Sequence, residues 1–272
     1  MSDLAVNMRG VSKAFGPVKA LDNVDLTVRK GSIHGLVGAN GAGKSTIIKV
    51  LAGIYKKDTG DIAVDGKTLE SITPAAIEKE GLHFIHQDRL LVPTASVAEA
   101  VFLNNEPRFG WFLNIRKMKR DARALISQHF GIDIDPNTLV RDLSAAKQKI
   151  VQITRALANN AQVLVLDEPT AALVAAETSS LFKVLQELRD NGIAIIFISH
   201  YMQEIVDICD EVTILRNGQN AGVLEVTNTD IDEIVSLMVD RNASEMYPKH
   251  NATIGQPLLE LKDLTRTGHF QN

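Results

Sequence analysis

Runs of apolar residues alternate with segments of helical periodicity along most of this chain. Near-continuous apolar runs occur at 163–166 and 193–198, and helix-spaced apolar residues lie between them at 177–188. Strand-like segments at 24–28 and 33–37 precede a further helix-period segment that begins near residue 47. Because strands that are buried on both faces read as continuous apolar runs, the pattern predicts a parallel sheet with helices on both sides.

Shorter strands and a helical region complete the predicted elements. Strands are expected at 61–64, 82–86, 211–215 and 221–226, with Asn217-Gly218 as the turn between the last two. Residues from about 90 to 159 are expected to be mainly helical. This region holds a basic segment at 116–123, for which a solvated helix face is the simplest interpretation.

The end of the chain differs in composition from the rest. After Arg241 the sequence becomes polar, and residues 259–266 then repeat the apolar, basic and hydroxyl positions of residues 6–13. We interpret this echo as the start of a second copy of the domain, while an ordinary C-terminal strand is the alternative. The predicted organisation is one domain at 1–243, a linker at 244–257 and a truncated second domain at 258–272.

Composition narrows the classes of function. The formal net charge of −4 and the 5% aromatic content give no sign of a nucleic-acid partner. The single cysteine, Cys209, cannot form a disulfide within the chain. We expect no signal peptide, because residues 1–9 lack an apolar core, and the longest apolar runs are too short to span a bilayer. Any membrane role is therefore expected to come through a partner.

Residues 38–45 carry the strongest chemical signal, a glycine-rich loop that fits the pattern G-x-x-x-x-G-K-[ST]. In such a loop the backbone N–H groups point at phosphate oxygens, and the following helix presents its N-terminus to the same anion. Lys44 is expected to reach the β- and γ-phosphates, and Ser45 to ligate Mg²⁺. The predicted nucleotide contacts of the loop are Gly38, Asn40, Gly41, Ala42, Gly43, Lys44, Ser45 and Thr46.

Two acids directly follow the apolar strand at 163–166. Asp167 is expected to hold Mg²⁺, and Glu168 to polarise an attacking water. An Asp-Glu pair at the end of a strand is common and carries little information by itself. Together with the glycine-rich loop, it predicts a site for magnesium and a nucleoside triphosphate.

Taken in order, these motifs resemble the nucleotide-binding domain of ABC transporters, from about residue 4 to residue 247. Phe15 matches the adenine-stacking aromatic, Gln87 the Q-loop glutamine and His200 the switch histidine. Residues 143–144 match the start of the signature motif, and residues 171–174 match the D-loop. Segments 15–21 and 92–99 look like the monosaccharide-importer branch, which typically carries two such domains in one polypeptide.

The resemblance implies a fold and a mechanism. The fold class is α/β, a P-loop NTPase core with a mostly parallel sheet, an antiparallel β subdomain and an inserted helical subdomain at about residues 90–159. In this family two domains sandwich ATP head to tail, which assigns Ser144 to the ATP of the partner domain. Gln87 is assigned as a metal ligand with Ser45 and Asp167. The implied catalytic residues are Glu168, His200 and Gln87.

The same resemblance implies partners and a location. ATP and Mg²⁺ are the expected cofactors, and hydrolysis drives uptake of a sugar or similar small solute. The expected partners are a second ABC domain, in the same polypeptide or as a dimer mate, transmembrane permease subunits and, indirectly, a periplasmic or extracellular solute-binding protein. Nucleic acid is not expected as a partner. The chain is expected at the cytoplasmic face of the cell membrane as a peripheral subunit.

The chain departs from the family pattern at the signature and the D-loop. The family's usual Leu-Ser-Gly-Gly-Gln is here Leu-Ser-Ala-Ala-Lys, so that Lys147 brings a cation where glutamine is common. This cation pairs with the partner domain's nucleotide or only weakens that site, and both interpretations stay open. Val174 stands where the D-loop normally has a polar residue. Both changes fall on the site that this signature completes in the partner domain.

Two alternatives to a transport ATPase remain open at this stage. One is a nucleotide-binding scaffold with weak hydrolysis, which the changes at Lys147 and Val174 favour and which Glu168 and His200 oppose. The other is a soluble ABC ATPase that acts on ribosomes or DNA. Such proteins usually carry long charged linkers or coiled-coil insertions, and neither is visible in the sequence.

Overall fold

The computed structural model describes residues 3–69, 72–85 and 91–239 of the chain. Its strands are β1 (Leu4–Phe15), β2 (Val18–Arg29), β3 (Ile33–Gly38), β4 (Thr59–Val64), β5 (Lys67–Thr68), β6 (Leu82–Ile85), β7 (Arg108–Phe109), β8 (Phe112–Leu113), β9 (Val163–Asp167), β10 (Ala194–Ile198), β11 (Glu211–Arg216) and β12 (Gln219–Glu225). Its α-helices are α1 (Lys44–Leu51), α2 (Pro74–Lys79), α3 (Val97–Phe102), α4 (Ile115–Phe130), α5 (Ala145–Ala158), α6 (Ala175–Asp190), α7 (Met202–Ile208) and α8 (Ile231–Val239).

The central sheet has six strands in the order β12-β11-β3-β10-β9-β6. All neighbours pair in parallel except β12, which is antiparallel at one edge. Side chains of β9 alternate between two separate hydrophobic cores, with Val163 and Val165 in one and Leu164 and Leu166 in the other. The apolar runs at β9 and β10 therefore arise because both faces of the sheet are covered, as the sequence predicts.

A second sheet is antiparallel and contains β2, β1, β4 and β5 in that order. The long strands β1 and β2 form a hairpin with register shifts at several points, and β4 pairs with the other side of β1. Inward-facing residues of β1 and β2, including Met8, Val24 and Leu26, pack in the same core as α1. This packing holds the antiparallel sheet close to the loop that precedes α1.

Helices α3, α4 and α5 form a third core of their own. Val101 from α3, Ile126 from α4 and Val151 from α5 are fully buried in it. Helix α3 is held at its start by Ser96, whose side chain and backbone exchange hydrogen bonds with Glu99 in a capping box. The predicted α/β class, with a mostly parallel sheet, an antiparallel sheet and a helical insertion, is confirmed by this architecture.

The sequence did not predict two features. A short hairpin, β7–β8, interrupts the helical region between α3 and α4, and the first two strands, β1 and β2, are each far longer than any predicted strand. The predicted linker at 244–257 and second domain at 258–272 lie outside the described residues. Within the described part of the chain, no helix combines the length and apolar character that crossing a bilayer requires.

Candidate nucleotide-binding site

Three neighbouring strands of the central sheet end within two residues of one another. Ile198 at the end of β10 is in register with Leu36 of β3 on one side and with Asp167 of β9 on the other. Because the strands are parallel, the loops that follow them emerge at one edge of the sheet. The glycine-rich loop, the acid pair and the histidine segment, which are far apart in sequence, are therefore neighbours.

The glycine-rich loop and the acid pair enclose one cavity of about 210 Å³. Six loop and helix residues line it together with Asp167, Glu168 and Ile198: Asn40, Gly41, Ala42, Gly43, Lys44 and Ser45. Thr46 and Ile48 of α1 and Ala20 of β2 complete the lining. Gly38 begins the loop at the end of β3 and does not line the cavity. The predicted loop residues other than Gly38 thus lie around one space together with Asp167 and Glu168.

Helix α1 begins at this cavity without a side-chain cap. Gly43, its N-cap residue, has no side chain to accept a hydrogen bond from the first turn. The first N–H groups of a helix have no acceptor within the helix, and the helix dipole adds a partial positive charge there. The cavity is therefore lined by backbone donors that suit an anion.

Lys44 supplies a full positive charge at the same place. Its ammonium donates hydrogen bonds to the carbonyl oxygens of Gly38 at 2.6 Å and Ala39 at 3.1 Å. Partial burial lowers the pKa of Lys44, and the nearby carboxylates of Glu168 and Asp167 oppose that shift. The ammonium is held by neutral carbonyl groups beside two acids, an arrangement in which an added phosphate would favour the charged lysine.

Glu168 has an unusual backbone conformation. Its φ angle is +45°, in the left-handed region that a residue with a side chain rarely adopts, and its N–H donates to the carbonyl of Ile198 at 2.9 Å. The Nδ1 atom of His200 lies 3.2 Å from Oε1 of Glu168. Strain of this kind persists where the surroundings enforce it, and it is concentrated at functional sites.

Ser45 and Asp167 fit the requirements of a magnesium ion. Both residues line the cavity, one from the first turn of α1 and the other from the end of β9. Hydroxyl and carboxylate oxygens are the hard ligands that Mg²⁺ prefers, and this ion usually keeps several waters in addition to one or two protein ligands. The residues present are therefore compatible with a metal that bridges protein and phosphate.

Of the predicted site residues that the structure describes, Phe15, Gly38, Ser144 and His200 do not line the cavity. Phe15 lies at the end of β1, is 43% exposed and meets Tyr55 edge to face with ring centroids 5.1 Å apart. Ser144 is exposed at the start of α5, where its Oγ accepts a hydrogen bond from the N–H of Lys147 at 3.4 Å. Gln87 lies outside the described residues.

Sequence reasoning missed a residue that ties two of these loops together. One carboxylate oxygen of Glu204 on α7 accepts hydrogen bonds from Thr170 at 3.0 Å and from Ser199 at 2.5 Å. Thr170 follows the acid pair and Ser199 precedes His200, so Glu204 couples the two segments. Its place one helical turn after the histidine was the available signal. Tyr55 was also missed, since nothing in its local sequence marks it as a partner of Phe15.

Comparison with known families agrees with the motif order and the geometry. The sequence model described as "ABC transporter" matches residues 21–171, which is more than half of the chain. The chain belongs to the ABC transporter family. The match covers the loop, the helical insertion, the signature segment and the acid pair.

Close relatives within the ABC family are sugar-import proteins by name. A protein of Cereibacter sphaeroides named "Ribose import ATP-binding protein RbsA" is 63% identical over the whole of this chain. A protein of Pseudomonas putida with the same name is 46% identical, also over the whole of this chain. The chain covers 54% and 53% of these two relatives, so it spans about half the length of the curated relatives it matches.

Solved structures of ABC cassettes share the fold. A nucleotide-free ATP-binding cassette from an ABC transporter matches with a TM-score of 0.74 and 25% identity, over 87% of this chain and 99% of that one. A second ATP-binding cassette of an ABC transporter gives a TM-score of 0.75 and 26% identity, over 88% and 100% of the two chains. The agreement extends over nearly the whole of each cassette.

Proposed function

We propose that this chain binds Mg·ATP in the 210 Å³ cavity and hydrolyses it as part of a sugar importer. The observation that carries the proposal is the convergence of the glycine-rich loop, Lys44 and the acid pair Asp167-Glu168 on one cavity. Backbone donors and a lysine after β3, with two acids after β9 in the same parallel sheet, are what a triphosphate with its metal requires.

Different residues of the site bind the phosphates, orient the attacking water and hold the metal. The N–H groups at the start of α1 and the ammonium of Lys44 bind phosphate oxygens, which keeps the triphosphate fixed relative to the acids. Glu168 orients a water and accepts its proton, and His200, 3.2 Å from Glu168, holds this carboxylate in place. Bound magnesium would be held by Ser45, Asp167 and Gln87, and would neutralise charge on the phosphates.

We further propose that hydrolysis requires a head-to-tail pair of cassettes. Ser144 lies at an exposed helix start away from this chain's own cavity, as expected of a residue that faces the ATP of the partner cassette. Since the chain spans about half of its curated relatives, the second cassette is proposed to follow in the same polypeptide.

The ribose-import names of those relatives support a pentose or similar sugar as the solute, with permease subunits and a solute-binding protein as partners. The proposed location is the cytoplasmic face of the membrane.

A nucleotide-binding scaffold with weak hydrolysis is the second candidate. It is motivated by Lys147 in the first turn of α5 and by Val174, which is 66% exposed at the start of α6. Both functions require binding of Mg·ATP, and only the first requires rapid turnover. Binding and turnover are therefore measured separately.

Binding is tested with the Lys44→Ala variant of this chain. Affinity for Mg·ATP should fall about 10- to 100-fold, because a hydrogen bond to a charged group is worth roughly 1.5–3 kcal/mol. Titration with a fluorescent ATP analogue, with and without magnesium, measures the effect. Lys183→Ala, an exposed lysine on α6, is the matched control and should bind normally. Equal affinity of the two variants would contradict the proposed site.

Turnover is tested with Glu168→Gln in the complete protein, assembled with its permease. Phosphate release should fall about 10²- to 10⁴-fold, the usual contribution of a positioned base, while Mg·ATP binding persists. Glu187→Gln on the exposed side of α6 serves as the control. Slow release by the unmodified assembly, unaffected by the substitution, would favour the scaffold instead.

A further inference from the structure

The hairpin β7–β8 exposes an aromatic cluster that the nucleotide site does not use. Three aromatic residues of one four-residue stretch, Phe109, Trp111 and Phe112, are 81%, 96% and 79% exposed. Trp111 is also the only tryptophan of the chain. Scattered apolar residues are ordinary on a protein surface, but three adjacent aromatic side chains in water form a patch of the kind that marks an interaction site.

The hairpin presents these rings on a defined turn. Phe109 pairs directly with Phe112 across the two strands, and Gly110 and Trp111 form the two-residue loop between them. Gly110 has a φ of +60°, which a two-residue hairpin turn demands at its first position. The N–H of Asn114 donates to the carbonyl of Pro107 at 2.7 Å, closing the base of the hairpin. The aromatic tip therefore projects from a closed base.

A basic surface adjoins the aromatic tip. Residues 105–124 contain six lysines and arginines and two acids, in a chain whose formal net charge is −4. Lys117 and Arg120 share the single carboxylate of Asp121, Arg123 pairs with Asp133, and Glu106 lies near Arg108. These three acids do not neutralise the six cations of the segment. Arg108 and Arg116 are both exposed, and neither belongs to a salt bridge in the described part of the chain.

The combination suits a particular kind of surface. Tryptophan and phenylalanine side chains partition to the interface of a bilayer, and lysines and arginines beside them are attracted by anionic headgroups. A second copy of this chain is a poorer occupant, because a symmetric contact would bring the same cations together. We propose that the hairpin and the first turns of α4 form a contact surface for anionic phospholipid. This proposal does not depend on the ATPase function.

The lone tryptophan allows a direct test. Emission of Trp111 in the unmodified chain is recorded with vesicles of phosphatidylcholine alone and with vesicles of phosphatidylcholine and phosphatidylglycerol in equal amounts. A shift to shorter wavelength that needs phosphatidylglycerol and weakens as salt is added is expected, since salt screens exposed charges. Unchanged emission with both kinds of vesicle would overturn the proposal. So would a shift that follows protein concentration without vesicles, because it would indicate self-association.

Variants separate the contributions of rings and charges. In vesicle sedimentation, Arg108→Gln with Arg116→Gln should weaken binding about 25-fold, because each cation near an anionic surface is worth about fivefold. Trp111→Ser should weaken it at least about tenfold through lost apolar burial. Both variants change exposed side chains only, and circular dichroism checks their fold.

Matched controls come from other surfaces of the chain. Arg9→Gln with Lys183→Gln removes two exposed cations from β1 and α6, and Val223→Ser removes a 58% exposed apolar residue from β12. These controls should bind vesicles like the unmodified chain. If they lose as much binding as the hairpin variants, attraction is spread over the whole protein and the assigned surface is wrong. Mg·ATP binding, measured in parallel, should be equal in all variants.

Discussion

Helices α1 and α5 both begin where phosphate contacts are predicted, and they begin in different ways. Helix α1 follows Gly43, has no side-chain cap and opens onto the cavity of its own cassette. Helix α5 follows Ser144, whose Oγ accepts a hydrogen bond from the N–H of Lys147. Helices α2, α3 and α4 are capped like α5, by Thr73, Ser96 and Asn114, whereas α6 and α7 lack a side-chain cap as α1 does.

The difference concerns which groups satisfy the first N–H donors of each helix. A serine cap satisfies one of them within the protein, so the helix start is stable by itself. The glycine start of α1 leaves its donors to a ligand, and the stability that a cap would add is absent. A missing cap beside a partly buried lysine is therefore an indication of an anion site, whereas a capped helix start is consistent with a contact made only by a partner.

The largest expected loss of stability comes from a substitution at Gly38, where the loop before α1 begins. A Cβ atom on Gly38 would lie 2.4 Å from the carbonyl oxygen of Leu215 and 2.9 Å from Cβ of Ala42. Gly38→Ala should therefore lower the free energy of unfolding by about 3 kcal/mol, because backbone cannot move aside as a flexible side chain can. Urea denaturation of the chain, followed by circular dichroism, measures the loss.

Gly41→Ala is the matched control for the same loop. A Cβ atom on Gly41 meets nothing within 4 Å, although the φ angle of +81° is unfavourable for alanine. This substitution should cost only about 1 kcal/mol, the price of a left-handed residue. Equal losses at the two positions would mean that backbone conformation, and not the close approach of β11, determines the shape of the loop.

The residues of the candidate site are easier to predict from the sequence than the contacts around them, for a physical reason. The loop at 38–46 and the acids at 167–168 are local patterns whose chemistry depends on neighbouring residues, so spacing alone reveals them. The pairing of Phe15 with Tyr55 and the bridge from Glu204 to Thr170 depend on tertiary contacts between distant segments. Short-range periodicity holds no information about such contacts.

The hairpin β7–β8 was missed for another reason. Its strands have only two residues each, too few for an alternating pattern, and the helical periodicity on both sides dominates the segment. The basic segment at 116–123 was correctly predicted to be helical, and several of its cations are exposed in α4. Its position beside the aromatic tip could not be predicted, because the hairpin itself was not.

Substitutions of the serines at the two helix starts, Ser144 of α5 and Ser45 of α1, are expected to have effects of intermediate size on stability and on ATP binding. Ser144→Ala should lower the free energy of unfolding by about 0.5–1 kcal/mol, because it removes the cap of α5. Ser45→Ala, in the first turn of α1, should leave the stability of the nucleotide-free chain unchanged and weaken the magnesium dependence of ATP binding. Thermal or urea unfolding without nucleotide checks the first statement, and titration with ATP at several magnesium concentrations checks the second. If Ser45→Ala were the more destabilising change, the contrast between the two helix starts would be wrong.

The smallest effect is a gain in stability at a third helix start, that of α6. Val174 occupies its N-cap position, and its N–H donates to Oε2 of Glu177 at 3.3 Å. This is one half of a capping box, because valine has no oxygen to accept a bond from the first turn in return. Val174→Ser would supply that oxygen and should raise the free energy of unfolding by about 0.5–1 kcal/mol.

Val174→Ala separates the hydroxyl's contribution from the removal of a 66% exposed apolar side chain. Urea unfolding of the two variants should show the gain for serine alone. Equal gains would mean that the exposed valine, and not the missing cap, weakens this helix start.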